Sequence, residues 1–166
     1  MDTPRLRGLR PGDLGWIVYS QGKGYWEELG WNEEYEALIA RIVADYAEGR
    51  DPSREAGWIA ELNGEPAGSI LCVDAGEQVA KLRLLWVEPF ARGHGVGGML
   101  VRECIGFARE AGYLSMTLWT MSNLDAARRL YEEAGFTLVS ERPVRMFGKD
   151  DLVSQVWDLP LRDSSA

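Results

Sequence analysis

The 166-residue chain is poor in metal-binding side chains, with two cysteines and one histidine. Cys72 and Cys104 stand apart in apolar surroundings and make no ligand spacing, so no metal is expected. Thiols used this sparingly suit a reducing, cytoplasmic setting. Positive charge is also scarce: Lys and Arg total 18 against 26 Asp and Glu, a formal charge of −8. Nucleic-acid binding needs clustered cations facing phosphates, so a nucleic-acid partner is not expected. The same charge mildly favours a cationic small molecule or peptide. No apolar run approaches bilayer-spanning length, and Met1-Asp2-Thr3-Pro4-Arg5 lacks the apolar stretch of a secretion signal, so no membrane association is expected. Repeats, low-complexity runs and linkers are missing too. Residues 1–166 therefore read as a single domain with a loose tail after about 160.

What is present is an ordinary globular composition, 46% hydrophobic and 27% charged, with seven tryptophans fit for a core or a pocket wall. Residues 5–10 suit a short first strand. Pro11-Gly12-Asp13 opens a short helix over about Leu14–Ser20, with Asp13 as its cap. The glycine-broken, aromatic stretch Gly22–Trp31 reads as a loop. Asn32 then caps a helix whose Tyr35, Leu38, Ile39, Ile42, Val43 and Tyr46 share a face, ended by Gly49. Trp58–Leu62, the hairpin signal Asn63-Gly64, Ala67–Val73, a turn at Gly76-Glu77 and Val79–Val87 form an antiparallel meander. A helix carrying Val96, Leu100, Cys104 and Ala108 ends at Gly112, and the strand Leu114–Met121 returns parallel to the third meander strand. Asn123 begins a last helix with Ala127, Leu130, Tyr131 and Ala134 on its apolar face. Phe136–Ser140 and Val153–Leu159 add two strands. The fold class is mixed α/β (α+β): a central sheet of about six to seven strands, flanked by about four helices.

The most informative segment runs Leu84-Leu85-Trp86-Val87-Glu88-Pro89-Phe90-Ala91-Arg92-Gly93-His94-Gly95-Val96-Gly97-Gly98. It passes from strand through a glycine-rich turn to a helix start. Glycines let backbone N–H groups approach an anion unobstructed, and the helix adds unpaired N–H groups and its positive dipole end. Such a turn suits a phosphate or pyrophosphate. A P-loop would carry Gly-Lys-Ser/Thr where this chain has Gly-Gly-Met. A dinucleotide site would follow the first strand of a βαβ unit and end the next strand in an acid, whereas this one follows a meander and ends in Trp119-Thr120-Met121.

Arg92, Gly95 and Gly97 resemble the cofactor motif of the GNAT superfamily of acyl-CoA N-acyltransferases: Arg or Gln, two residues, Gly, one residue, Gly or Ala. The run Asn123-Leu124-Asp125-Ala126-Ala127-Arg128-Arg129-Leu130-Tyr131-Glu132-Glu133-Ala134-Gly135-Phe136 is similar to that family's second signature. Arg10–Val18 and Gly30–Glu36 resemble the acetyltransferase half of bacterial proteins that join a MarR-type DNA-binding domain to a GNAT domain. The resemblance implies a GNAT-like sheet whose central parallel pair splays just past Val87, and acetyl-CoA as co-substrate. It implies that Leu85, Trp86 and Val87 pair with the pantetheine arm, that Arg92, Gly93, His94, Gly95, Val96, Gly97 and Gly98 hold the pyrophosphate, and that Asn123 caps the last helix and contacts the arm. The ring of His94 is expected to be exposed and incidental. Homodimers are common among such relatives.

The implied activity is acetyl transfer from acetyl-CoA to a primary amine of a small molecule, amino acid or peptide, directly in a ternary complex. Tyr131 matches the family's tyrosine near the CoA sulfur and would protonate the leaving thiolate. The family's frequent glutamate base, early in the third meander strand, is not found there; this chain has Lys81 and Arg83. Glu27, Glu28, Glu33, Glu34 and a water chain are the remaining candidates for the base. For the acceptor, Tyr25, Trp26 and Glu28 offer aromatic walls and an acid suited to a cationic or aromatic amine. A non-catalytic acyl-CoA sensor, and an enzyme using another acyl-CoA, are the alternatives.

Overall fold

A computed structural model describes residues 3–162. The chain opens with strand β1 (Arg5–Gly8), helices α1 (Asp13–Leu29) and α2 (Glu33–Gly49), then strands β2 (Ala56–Leu62), β3 (Glu65–Asp74) and β4 (Val79–Val87). A 3₁₀ turn at Pro89–Ala91 leads to α3 (Val96–Glu110), β5 (Ser115–Met121), α4 (Asp125–Ala134), β6 (Thr137–Met146) and β7 (Lys149–Pro160). The strands form one sheet in the order β1-β2-β3-β4-β5-β7-β6. The β4–β5 pair is parallel and the other pairs are antiparallel.

Both faces of the sheet are covered. On one, the apolar face of α3 (Val96, Leu100, Val101, Cys104, Ile105, Ala108) packs with Tyr131 of α4 over Ala80, Leu82, Met116 and Leu118. On the other, Ile17 of α1 and Val43 and Tyr46 of α2 cover Ile59 and Leu71. Beside them lies an aromatic cluster of Tyr25, Trp31, Trp86 and Phe147, with Tyr35 and Trp119 packed against it. Cys72 and Cys104 are buried free thiols, as their apolar surroundings suggest.

Asn63 (φ 56°) and Gly64 (φ 79°) make the expected left-handed turn between β2 and β3. Phe147 (φ 59°) and Gly148 (φ 77°) make a similar turn that extends the last two strands well beyond their expected lengths. Phenylalanine is a poor turn residue, but its ring is buried in the aromatic cluster, and its amide and carbonyl bond to Glu34 Oε2 and to the Asn32 N–H, both at 3.0 Å. Packing overrides local preference there.

Several expectations need correction. The segment Gly22–Leu29 is helix, continuous with the first expected helix, and its Gly22 and Gly24 pack against Glu36 and Trp86. A Cβ on Gly24 would lie 2.2 Å from the Trp86 ring, so glycine there serves close packing. Asp13 does not cap α1, whose N-cap is Gly12. Its carboxylate instead takes a bidentate contact from Arg7 at 2.7 and 3.1 Å and the Arg10 N–H at 2.7 Å. Burial disfavours the charge, yet the Arg7 and Arg10 contacts hold the Asp13 pKa below its ordinary value. Asn123 lies outside α4, whose N-cap is Leu124 with no side-chain cap. Past Pro160, Leu161 is buried and donates its N–H to Leu114 O at 2.9 Å, so the chain stays docked there. The rest of the expected loose tail, 163–166, lies outside the described residues.

Candidate active site

The site begins with an irregularity in β4. Ser69 and Leu71, two apart on β3, face Trp86 and Arg83, three apart on β4, so β4 carries an extra residue. Leu84 adopts φ 57° within this bulge, a strained conformation for a leucine. Its carbonyl receives Gln21 Nε2 at 3.1 Å and Ser69 Oγ at 3.3 Å. Gln21, fully buried on α1, accepts in turn from the Tyr35 hydroxyl at 3.1 Å. Side chains of both helices thus hold a backbone kink from behind.

The bulge changes which side chains face where. Before it, Leu82 packs beneath α3; after it, Leu85 and Val87 do, while Trp86 enters the aromatic cluster. It also turns β4 away from its neighbour. β4 and β5 pair only through Val79–Lys81 with Ser115–Thr117. The strands therefore part after Lys81, well before the expected position past Val87.

A cleft of about 470 Å³ opens where the strands have parted, walled by Leu85, Trp86 and Val87, by the start of α3 and by the first turns of α4. The Glu88 N–H bonds to Ala67 O at 2.8 Å on β3. By strand alternation the N–H and C=O of Val87 then point the other way, over the cleft. At the cleft floor, Gly95 (φ 79°) is the N-cap of α3 and offers no side-chain cap. The first-turn N–H groups at Val96, Gly97 and Gly98 lack intrahelical acceptors, and their helix's positive end faces the cleft. A Cβ on Gly97 would lie 2.6 Å from Leu130 of α4, so glycine there lets α3 and α4 meet closely. Amides unblocked by side chains, a dipole end and a strand edge fit a long ligand carrying a pyrophosphate and an amide-rich arm.

A smaller cavity of about 70 Å³ adjoins the cleft and shares Tyr25, Leu85, Leu124 and Ala127 with it. Its lining comes from both faces of the sheet, through the gap between β4 and β5: Lys81, Arg83 and Trp119 with Leu38 and Ile42 of α2, and Tyr131 and Ala127 of α4. The rings of Tyr25, Trp31, Tyr35 and Phe147 close one end, with centroids 4.8 to 5.1 Å apart. These aromatics both seal a core and line a cavity. Burial, with smaller contributions from Tyr25 and Cys104, drives the Tyr131 pKa far above that of a free phenol, so its proton is retained at neutral pH. No Asp or Glu lines this cavity.

Of the residues singled out from the sequence, Leu85, Trp86, Val87, Arg92, Gly93, Gly95, Val96, Gly97, Gly98 and Asn123 all line the cleft. His94 does not; its ring is exposed, with Nδ1 3.0 Å from Arg92 O. Tyr25 borders both spaces. Trp26 borders neither and is 61% exposed, because it leaves α1 on the solvent side. Glu28 lines the cleft but is occupied by Arg92 at 2.7 Å, whose Nε also donates to Val87 O at 3.2 Å. Glu27, Glu33 and Glu34 lie outside the cavity: Glu27 faces Lys23 at 4.0 Å, Glu34 accepts the Phe147 N–H, and Glu33 is exposed. Gln21, Tyr35 and Trp119 also line the cavity, and Ser69 supports the bulge beside it, none of them marked in the sequence; Lys81 and Arg83, two cations inside an otherwise apolar central strand, are the one sequence signal that points to it.

A model of the acetyltransferase (GNAT) family matches residues 18–136. Among curated proteins, the N-acetyltransferase 8F1 of Rattus norvegicus is 27% identical over 122 residues, 70% of this chain and 55% of that protein. The N-acetylaspartate synthetase of Danio rerio is 32% identical over 104 residues, 62% of this chain and 36% of that protein. The chain thus spans about half or less of the length of these relatives. Among solved structures, a putative acetyltransferase from Salmonella typhimurium with its cofactor acetyl-CoA superposes with a TM-score of 0.77 at 20% identity, covering 99% of this chain and 98% of that one. A putative phosphinothricin N-acetyltransferase gives 0.79 at 21% identity, covering 97% and 100%. These likenesses in fold accompany a family match across more than half the sequence, and the chain belongs to the acetyltransferase (GNAT) family.

Proposed function

We propose that the protein transfers an acetyl group from acetyl-CoA to a primary amine. The observation that carries this reading is the meeting of the two spaces. A cleft fit for a CoA thioester and a cavity fit for a small acceptor share four residues at the gap between β4 and β5, beside Tyr131. Acetyl-CoA supplies an activated acyl carbon with a thiolate leaving group. The first-turn amides of α3, from Val96 to Gly98, receive the pyrophosphate, and the exposed Arg129 at the rim suits a further phosphate. The free edge of β4 at Leu85–Val87 pairs with the pantetheine arm, and the Val87 N–H polarises the thioester carbonyl. Asn123 sits at the cleft's other wall, where it contacts the arm.

The amine nitrogen forms its bond to the acetyl carbon as the carbon–sulfur bond breaks. Tyr131 gives its hydroxyl proton to the departing sulfur, and the nitrogen's proton leaves through water, which re-protonates the tyrosine. With no carboxylate in the cavity, water is the proton acceptor. That same lack of a carboxylate is the one observation favouring a second reading, an acyl-CoA sensor without turnover. Acceptors here include small amines, amino acids and peptide ends, and another acyl-CoA could replace acetyl-CoA. The two buried free thiols suit a cytoplasmic location. The test is a screen of amines with acetyl-CoA, following free thiol while acetyl-CoA binding is measured by calorimetry. Acceptor-dependent thiol release supports the transferase; saturable binding with no release across the screen leaves the sensor.

A further inference from the structure

We propose that the acceptor is a small primary amine that also carries an anionic oxygen group, a carboxylate or phosphonate, bound by Lys81 and Arg83. The inference rests on the transferase reading above and names its substrate class. Lys81 and Arg83 line the small cavity from consecutive same-face positions of β4, just where β4 leaves β5. Both are half-buried, in a strand whose other members are Val79, Ala80, Leu82, Leu84, Leu85, Trp86 and Val87. Among the described residues neither makes an ion pair. Asp45 of α2 acts on Arg83 from beyond ion-pair distance. Burial lowers the pKa of both groups, and each cation reinforces the cavity's positive field; Arg83 lowers Lys81 further.

Two half-buried cations side by side, neither in an ion pair, are costly, and the cost is offset when a ligand supplies an anion within the cavity. A guanidinium offers a planar fork to a carboxylate or phosphonate, and an ammonium adds a point charge. The remaining walls, Leu38, Ile42, Trp119, Tyr35 and Phe147, suit a compact apolar or aromatic body. The positive field has a second effect. It favours the neutral amine over the ammonium, which supplies the nucleophile where no carboxylate base is present. An anionic amine differs from the cationic acceptor that the net charge of −8 mildly favours. No acid lines the cavity: Asp45 acts on Arg83 from outside it, and Glu28, in the neighbouring cleft, is engaged by Arg92.

The experiment pairs each anionic amine with a neutral twin: amino acids with their amides, and 2-aminoethylphosphonate with its diethyl ester. Binding to CoA-loaded protein is read by calorimetry, and turnover by thiol release. At least one anionic amine is expected to bind at least about 10-fold tighter than its twin, the range of hydrogen bonds to charged groups. Lys81→Gln and Arg83→Gln should each weaken it by about 10- to 100-fold while leaving acetyl-CoA affinity unchanged; Arg83→Lys should recover part of the loss. Carboxylate and phosphonate arms tell the two anions apart. Equal binding of neutral twins, indifference to both Gln variants, or no anionic amine bound would overturn the inference. Preferential anion binding without thiol release would instead sink the transferase reading and leave the anion site standing. Efficient acetylation of neutral amines alone would do the reverse.

Discussion

Gln21 holds the kink of β4, and replacing it with Met keeps the side chain's length while removing both of its polar ends. Three contacts disappear: Nε2 to Leu84 O at 3.1 Å, Nε2 to Ser69 Oγ at 3.4 Å, and the Tyr35 hydroxyl to Oε1 at 3.1 Å. Leu84 O retains Ser69 Oγ, so the larger loss falls on the half-buried Tyr35, whose hydroxyl is left without its acceptor. Two good hydrogen bonds at about 1 kcal/mol each, plus about 1 to 2 kcal/mol for the stranded hydroxyl, give a loss of about 3 to 4 kcal/mol. For a domain of this size that is a fall in Tm of roughly 6–16 °C. Because Leu84 must hold φ 57° for Leu85–Val87 to face the cleft, acetyl-CoA affinity should fall as well. Thermal unfolding and calorimetric titration on the same samples read both effects. Adding Tyr35→Phe removes the stranded group and should return part of the stability, so the double variant is less than additive. A Tm within about 2 °C of the parent, with unchanged acetyl-CoA affinity, would refute the role given to Gln21.

Tyr131→Phe should lower kcat by about 100-fold and leave acetyl-CoA affinity intact; unchanged kcat removes the proton-donor role. Gly24→Ala sets a methyl 2.2 to 2.4 Å from the Trp86 ring, so a loss of about 1 to 3 kcal/mol and an altered tryptophan emission are expected, and parent-like stability would show that α1 yields freely. The Arg7 and Arg10 contacts depress the Asp13 pKa, so Asp13 stabilises the fold above about pH 4 and loses that contribution as pH falls through its folded pKa. Asp13→Asn should therefore lower Tm at pH 7 clearly more than at pH 3, and an equal drop at both pH values would contradict the ion pair's role.

Local chemistry made much of the molecule legible. The third meander strand, Val79–Val87, keeps its expected bounds because its ends are marked by a turn and by Pro89. The glycine turn could be placed at the start of α3 because spacing and helix start sit together in sequence, and it borders the larger cleft. The continuity of α1 was hidden, since a glycine's helix penalty is visible in sequence while the Trp86 ring packed against Gly24 is not. The bulge at Leu84 was hidden for a similar reason: leucine carries no signal for φ > 0, and the groups that hold it, Gln21 and Ser69, are far away in the chain. The early parting of β4 from β5 follows from that bulge. Trp26 and Glu28 suit an acceptor by residue type, but helix phase sends the Trp26 ring to solvent and Arg92 takes the charge of Glu28. Lys81 and Arg83 stand out in the sequence as departures from a family pattern, but the cavity they share is formed by α1, α2 and α4, far away in the chain.

The most direct measurement is a titration of isotopically labelled protein with acetyl-CoA, followed through the backbone amide resonances. The expected result is saturable shifts concentrated at Leu85–Val87 and at Gly93–Gly98, with little change along β1 and β2. Saturable binding that left both segments undisturbed, or no binding at all, would contradict the assignment of this cleft.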